Sequence, residues 1–369
     1  MATSTYHCPN CRAPISFKPD KQLFICDYCN SEFTPQQMHD ATQKQEAKAN
    51  ERAQREIERQ EKRKASAAEA EGEQTVHEYL CENCGANVVT DDTTTSTYCY
   101  YCHSPVIITT RLQGNFRPDR MLPFKFSEEQ AKEKFLSWAE KKKYLPSDFT
   151  SAAHLEKMTG LYLPYWYVDS DVDVNFAGTS REVSSSRSGD FIYEETAVYD
   201  HQRQGVYHLH DVNLAAFEKI DQNLLNGIEP YDPQEFTPFS MPMLSGFFTE
   251  QYTISKADAA EAMQDEIQNI SEGMLESSLG SSDIETKYKE FNNHDHEWQL
   301  SLVPVWILTY NYLDKIYVYA MNGQSGRAFG EMPIVMKKLN RDAVLRGALI
   351  GFIAAVIAYV VMYFLRIGL

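Results

Sequence analysis

The 369-residue sequence lacks a basic surplus, an unpaired cysteine and, with one exception, any long apolar run. Its 35 basic and 52 acidic side chains give a formal charge of −17, which argues against a general nucleic-acid-binding surface. Eight cysteines are too few for a disulfide-stapled miniprotein. Residues 1–8 contain no apolar run, so we expect no signal peptide there. The apolar fraction of 43% suits a folded chain of two or three domains.

Motifs of common enzyme classes are also missing. The sequence contains no nucleophile elbow, no dinucleotide-binding fingerprint and no metalloprotease helix. The turn at Asn322–Arg327 lacks the Gly-Lys-Ser/Thr ending of a phosphate-binding loop. We therefore expect a protein that is not an enzyme and has no small-molecule substrate. An enzyme built from carboxylates and histidines in the middle of the chain remains the alternative.

All eight cysteines fall into four Cys-x-x-Cys pairs, with 14 residues between the first and second pairs and again between the third and fourth. Such turns direct two thiolates at one ion, and a second turn completes a tetrahedron. Disulfides and thioredoxin-like redox pairs are the alternatives, but the repeated spacing outside any βαβ pattern favours metal. The sequence predicts two structural Zn²⁺ sites: Cys8, Cys11, Cys26 and Cys29, and Cys81, Cys84, Cys99 and Cys102. The adjacent His7 and His103 are not needed as ligands.

A polar helix is predicted between the two cysteine groups, from residue 34 to about residue 70. Thr34 as N-cap and Gln37 three residues later are typical of a helix start. A helix that is polar all round is a solvated spacer, supported here by i,i+4 pairs such as Glu51–Arg55. Its arginines are an alternative nucleic-acid patch, but the interspersed glutamates favour the spacer.

Two amphipathic helices are predicted in the acidic middle of the chain. Ser127 and Gln130 form a capping box, and the helix is expected to run to about Tyr144. Ser255 is expected to cap the second helix. The predicted core-facing residues are Ala131, Phe135, Trp138 and Ala139 in the first helix, and Ala260, Met263, Ile267, Ile270 and Met274 in the second.

Strand-like sequence follows each helix, and two motifs echo one another. Leu163-Pro-Tyr-Trp166 follows the first helix, and Val303-Pro-Val-Trp306 follows the second. We interpret this region as an α+β domain of two related units, each a helix plus antiparallel sheet, weakly similar to PepSY-like modules.

An alternating run of aspartates lies in this region. Asp169, Asp171 and Asp173 would suit a calcium loop only with Gly at the sixth position and Glu at the twelfth, where the sequence has Val174 and Ser180. A strand with carboxylates on its wet face is therefore predicted.

The histidines of this region are interpreted as exposed rather than as metal ligands. His208 and His210 are predicted to share a strand face, with His201 across a turn near Gln204-Gly205. His294-Asp-His296 predicts a polar loop.

The exceptional apolar run is Gly347–Leu365, 19 residues without a charge. As a helix it spans ~28 Å, about one hydrocarbon core. Four basic residues precede it and only Arg366 follows, so the positive-inside rule places residues 1–346 in the cytoplasm. We therefore predict a single-pass, tail-anchored protein of the cell membrane, with a basic collar at an anionic bilayer face. The small residues Gly347, Gly351 and Ala355 suggest packing against another helix.

Taken together, the cysteine pairs and the two Trp motifs resemble a family of bacterial zinc-ribbon membrane proteins of the YdjG type, whose ribbons are described as similar to those of TFIIB or primosomal helicase. The resemblance implies a membrane-anchored scaffold that recruits PspA-like or SPFH-domain proteins in envelope stress. Our hypothesis is that the ribbons bind the protein partner and that the acidic middle domain holds a second partner or a membrane sibling subunit. A membrane-associated nucleic-acid-binding protein is the alternative. The predicted division is a first zinc ribbon (1–33), a helical linker (34–74), a second ribbon (75–110), an acidic α+β domain (111–335) and a collar with transmembrane helix (336–369).

Overall fold

The computed structural model describes residues 5–43, 47, 51, 54–55, 77–81, 83–84, 87–90, 93–99, 102–112, 116–146, 149–150, 158–188, 190–280, 283–313 and 315–367. Within them the chain is mixed α+β, with two four-cysteine groups, a large central sheet and one apolar C-terminal helix. The helices are α1 (35–43), α2 (Glu128–Glu140), α3 (Gln222–Ile228), α4 (Lys256–Leu279) and α5 (Met336–Ile367). The strands are β1 (Ser16–Lys18), β2 (Leu23–Ile25), β3 (Glu32–Phe33), β4 (His77–Leu80), β5 (Asn87–Thr90), β6 (Thr94–Tyr98), β7 (Pro105–Ile107), β8 (Arg120–Met121), β9 (Thr159–Ser188), β10 (Phe191–Ala215), β11 (Thr237–Pro238), β12 (Phe248–Glu250), β13 (Ile284–Tyr312), β14 (Lys315–Asn322) and β15 (Ala328–Gly330).

The strands form three sheets in the described part of the chain. β1, β2 and β3 form a small sheet at the first cysteine group, and β4 pairs with β5 at the second. The ten-stranded sheet runs β11-β8-β13-β9-β12-β6-β7, with β10 on β9 and with β14 and β15 beyond β13. Cys99 and Cys102 lie between β6 and β7, so the second cysteine group is connected directly to the edge of the large sheet. The predicted domain boundaries stay predictions.

The large sheet contains two units of the same order, β8-α2-β9-β10 and β12-α4-β13-β14. They interlock: β8 lies parallel to β13 of the other unit, and β12 lies parallel to β9. The two Trp motifs face each other across the β9–β13 pair, with Leu163 opposite Val303. Pro164 O accepts a hydrogen bond from Ala216 N, and Pro304 O accepts one from Gly323 N, and each donor lies just after the last strand of its unit.

The helices begin where the sequence signals predict, but the end of the first helix differs from the prediction. Ser127 and Gln130 form the expected capping box, and the Ser255 side chain accepts a hydrogen bond from Asp258 N. The first helix ends at Glu140 rather than near Tyr144, because three exposed lysines there offer no apolar face to the core.

The predicted face of the second helix was partly wrong. The buried positions recur every fourth residue, and the predicted Met274 is 40% exposed. Ser271 occupies a core position because its hydroxyl donates to Ile267 O, which satisfies it without water. The buried set is Ala259, Met263, Ile267, Ser271 and Leu275.

Three strands are much longer than the rest and extend from the body as an arm: residues 169–188 of β9, 191–211 of β10 and 284–299 of β13. One face packs under α4, where Val172, Val174 and Phe176 meet Met263 and Ile267. The aspartates of β9 lie on the other, wet face, as the strand prediction required.

Two predictions about the arm were wrong. β10 runs without a turn through Gly205, which sits where a Cβ would meet no atom within 4 Å, so the glycine requires no bend. His294-Asp-His296 lies inside β13 and not in a loop, because pairing with β9 imposes the strand on a polar sequence.

The polar helix is described in part. Thr34 and Gln37 cap each other reciprocally, with Gln37 N donating to Thr34 Oγ1 at 3.2 Å and Thr34 N donating to Gln37 Oε1 at 2.9 Å. The Arg55–Glu51 pair is formed at 3.7 Å. The rest of this predicted helix, with most of its arginines, lies outside the described residues.

α5 is long and apolar enough to cross a membrane by length and composition. It spans 32 residues, 13 more than the predicted run: the basic collar continues the same helix for 11 residues before the run, and two residues follow it. Large apolar side chains on its described positions are exposed, including Leu349, Ile350, Phe352 and Ile357.

Candidate metal centres

The eight predicted ligands come together in two groups of four, in each of which all sulfur atoms lie within 4.8 Å of one another. In the first group Cys8 Sγ lies 3.6 Å from Cys29 Sγ, and Cys11 Sγ lies 3.4 Å from Cys26 Sγ. In the second group the corresponding distances are 3.8 Å for Cys81–Cys102 and 3.6 Å for Cys84–Cys99. All eight cysteines are free, so the disulfide alternative does not apply.

These distances fit a tetrahedral metal ion. Four thiolates at ~2.3 Å from one Zn²⁺ place neighbouring sulfurs ~3.8 Å apart. An all-thiolate tetrahedron with no open position is typical of a structural centre. Either group could therefore hold one metal ion; its identity as zinc is a proposal. Neither His7 nor His103 belongs to a converging group in the described part of the chain.

Three of the four knuckles turn through a residue in the left-handed region directly after the second cysteine. The φ angles are 64° at Arg12, 54° at Asn30 and 53° at His103. Their N–H groups donate back to the carbonyl of the first cysteine of the knuckle, at 2.8–2.9 Å. Non-glycine residues rarely adopt this conformation, so the three repeats indicate a backbone shaped for metal ligation. The fourth such position, Gly85, lies outside the described residues.

Beside each centre an asparagine and a serine form a hydrogen bond that the sequence analysis did not predict. Asn10 Nδ2 donates to Ser31 Oγ at 2.8 Å, and Asn83 Nδ2 donates to Ser104 Oγ at 2.9 Å. Asn83 Nδ2 also lies 3.5 Å from Cys102 Sγ. The sequence contains a signal for this pair, because both groups share the pattern Cys-x-Asn-Cys followed by Cys-x-x-Cys-x-Ser. Such outer hydrogen bonds orient ligands and tune the metal.

The same contacts favour the ionised form of one cysteine in each centre. The hydroxyl and backbone N–H of Ser31 lower the pKa of the Cys29 thiol to about 6. Burial works against ionisation of Cys102, but hydrogen bonds from Asn83 and Ser104 lower the pKa of its thiol to about 6. Because the thiolate is the ligand, each centre presents an ionised sulfur near neutral pH.

The first centre is built into the body of the protein. Cys8 and Cys26 share one apolar cluster with Phe17, Phe24 and Trp306, although Trp306 belongs to β13. Ser245 of the body is hydrogen-bonded to the segment of the first centre: its hydroxyl donates to Ile15 O at 2.9 Å, and its carbonyl accepts from Phe17 N at 3.3 Å. The second centre has a smaller core of Cys81, Cys99 and Val106.

The arm histidines pair with aspartates. Asp171 lies between two of them: His208 Nδ1 is 2.6 Å from Oδ1, and His296 Nε2 is 2.8 Å from Oδ2. His294 pairs with Asp173 at 3.1 Å, and His210 with Asp169 at 3.5 Å. These hydrogen bonds hold the pKa of Asp171 below its usual value, with His208 first and His296 second.

This row does not bring three ligand atoms to one point among the described residues. His201, predicted to lie across a turn from His208, is on the same strand, β10, and its Nε2 lies 2.8 Å from Ser180 Oγ.

The comparisons with known proteins leave the activity open. No family model matches the chain. It is 27% identical over 234 residues to the uncharacterized protein YdjG of Bacillus subtilis (strain 168), a match that covers 63% of this chain and 69% of the relative. No solved structure matches.

Proposed function

We propose that this protein is a membrane-anchored cytosolic scaffold that binds a protein partner through the end of its arm. In this proposal α5 crosses the bilayer once and keeps the bulk of the chain in the cytoplasm. The two centres hold Zn²⁺ and stabilise the body from which the arm projects. The positive charge in the first turns of α5 and the eight free thiols both support the cytoplasmic side.

The observation that carries the proposal is the exposed arm tip, residues 181–188 and 190–199. β9 has 30 residues and reaches ~100 Å if extended, whereas α4 has 24 residues and covers ~36 Å. The helix therefore leaves the outer part of the arm uncovered. Six large apolar side chains of the tip are between 50% and 70% exposed: Val183, Phe191, Ile192, Tyr193, Val198 and Tyr199.

The backbone of the tip is also open to a partner. β13 pairs with β9 only as far as Ser180, so among the described residues positions 181–188 of β9 pair with β10 alone. A two-stranded ribbon is marginally stable in water. Unpaired strand edges can accept an additional strand from another chain, with backbone hydrogen bonds for affinity and side-chain pockets for specificity. A partner protein that covers the arm tip would stabilise this two-stranded segment and would pair its open backbone edge.

The ribbons offer a second, smaller contact surface. The outer side of the first knuckle pair is exposed, with Tyr28 79% exposed beside Cys29. Its inner side belongs to the body core. We therefore assign the ribbons chiefly a stabilising role, and the arm tip the main partner contact, which changes the expectation that the ribbons recruit the partner.

The partner expected from the family resemblance is a PspA-like or SPFH-domain protein, with a membrane sibling subunit as another candidate. To test this, tagged full-length protein is crosslinked in native membranes and purified beside a tip variant with Phe191→Ser, Ile192→Ser and Tyr193→Ser. Tyr288→Ser, an exposed aromatic of the arm outside the tip, is the matched control. Metal content and thermal unfolding of each variant show that the body is intact.

Recovery of a PspA-like or SPFH-domain protein with the wild type and with Tyr288→Ser, but not with the tip variant, supports the proposal. Equal recovery with the tip variant would show that the tip is not the contact. Recovery of nucleic acid in place of protein would favour the alternative function.

A further inference from the structure

We propose that the end of the body next to α5 is itself a docking surface for anionic lipid headgroups, which holds the body against the bilayer; this rests on the proposed membrane anchor. The surface, called the basic end, comprises the described residues of the segments 140–146, 312–316 and 331–346. The fold brings these three distant segments together.

The contacts that assemble the basic end are specific. Val335 N donates to Tyr144 O at 2.8 Å, and Lys338 Nζ donates to Leu145 O at 2.7 Å, so the start of α5 is fixed to the segment after α2. Lys315 Nζ pairs with Glu331 Oε2 at 3.2 Å, which holds the β13–β14 turn beside the segment that leads into α5.

The charge of the basic end is opposite to that of the protein. Its segments contain eight basic and four acidic residues, in a chain with a formal charge of −17. Lys141, Lys142 and Lys143 are all exposed, although they lie almost 200 residues before α5 in the sequence. Each basic residue near an anionic bilayer contributes roughly 1 kcal/mol of attraction. The remainder of the chain is strongly acidic and would be repelled by the same surface.

The basic end also exposes apolar side chains that suit the interface. Leu313 is 82% exposed and Ile316 65% exposed at the β13–β14 turn. Ile334 is 55% exposed just before α5, and Met336, the first residue of α5, is 60% exposed. Leu313 has a φ of 51°, a left-handed conformation in which glycine or asparagine would be easier to place. A strained, water-exposed leucine makes physical sense if it is covered, and the neighbouring apolar helix indicates that the cover is lipid.

Geometry decides how the docking occurs. Gly347 lies eleven positions after Met336, so ~16 Å of helix lies between the body and the uncharged run. The headgroup layer of one leaflet is only ~5–8 Å thick. An upright helix would leave the body segments of the basic end, around Lys141–Lys143 and Leu313, above the headgroups, and a tilted helix brings them down to the headgroups. Anionic lipid therefore selects the tilted, docked arrangement, and neutral lipid does not.

The test uses the full-length chain in vesicles of phosphatidylcholine, with or without phosphatidylglycerol, brominated close to the headgroup. Leu313→Trp reports contact with the bromines through fluorescence quenching relative to the parent protein. Val183→Trp at the arm tip is the matched control, since Val183 is 61% exposed at the far end of the arm. Phe352→Trp reports insertion of α5.

We expect Leu313→Trp to be quenched in vesicles with phosphatidylglycerol and much less in phosphatidylcholine alone, and Val183→Trp to be unquenched in both. Adding Lys141→Gln, Lys142→Gln and Lys143→Gln should weaken the docking equilibrium by a factor on the order of 100. If Phe352→Trp is quenched but Leu313→Trp is no more quenched than Val183→Trp in anionic vesicles, the docking surface is refuted and the anchor stands. If Phe352→Trp is not quenched, the anchor and the docking both fail.

Discussion

Loss of the first metal centre should unfold more than its own knuckles. Cys26 is fully buried in a cluster that contains Phe124 and Trp306 of the body. We expect Cys26→Ala to release the metal and separate residues 5–33 from the body, because apparent binding energies of structural zinc, ~10–16 kcal/mol, match the whole stability of a domain.

The magnitude follows from the shared core. Ile15, Phe17 and Phe24 are each at most 3% exposed and would become exposed together. At ~1.5–3 kcal/mol for each side chain, their contribution is ~5–9 kcal/mol. For a body of this size we expect the melting temperature to fall by roughly 10–20 °C.

The assay is thermal unfolding of the full-length chain in detergent, followed by tryptophan fluorescence, because Trp306 lies in the shared cluster. Cys99→Ala is the matched control: Cys99 is equally buried but packs in the small cluster with Cys81 and Val106. We expect it to lower the melting temperature less. The reasoning is refuted if Cys26→Ala loses its metal yet melts at the wild-type temperature, or if Cys99→Ala has the larger effect.

Three further predictions concern other contacts. Asn83→Ala should lower zinc affinity of the second centre about 10–100-fold, measured by competition with a chromogenic chelator, since it removes the donor to Ser104 and Cys102; unchanged affinity would contradict this. Arg120→Ala should lower the free energy of unfolding, measured in urea, by ~2–3 kcal/mol, because Arg120 pairs with Asp211 at 2.9 Å and stacks over Phe236 at 4.0 Å. Lys287→Ala, which breaks an exposed ion pair, should cost almost nothing. Equal losses in the two variants would contradict the larger contribution assigned to Arg120. The folded pKa of Asp171 lies below its unfolded value, so its pairing stabilises the fold above about pH 4, and this stabilisation is lost as the pH falls through the folded pKa. Asp171→Asn should therefore be less stable than wild type above about pH 4, and the difference should vanish in more acidic solution. A difference independent of pH would be inconsistent with the pairing.

Short-range features were predictable because their causes are local. The cysteine spacing fixes which thiols converge, and Ser127 and Thr34 mark helix starts through hydrogen bonds within one turn. The alternation of Asp169, Asp171 and Asp173 with valines placed the carboxylates on the wet face of a strand.

The arm and the basic end were not predictable, because distant segments create them. His294 and His296 occur in polar sequence, and only pairing with β9 makes that sequence a strand. The membership of β6 and β7 in the large sheet depends on pairing with β12, which lies about 150 residues away. Lys141 and Lys338 reach the same end of the body only after the segment that follows α2 meets the start of α5.

The most direct test of the central claim is site-specific photo-crosslinking from the arm tip in native membranes. A photoreactive residue replaces Tyr193, which is 60% exposed at the tip, or Glu218, an exposed position on the body. The account predicts a discrete crosslinked protein, identified as PspA-like or SPFH-like, from position 193 and not from position 218. Crosslinks from position 218 with none from position 193 would contradict it.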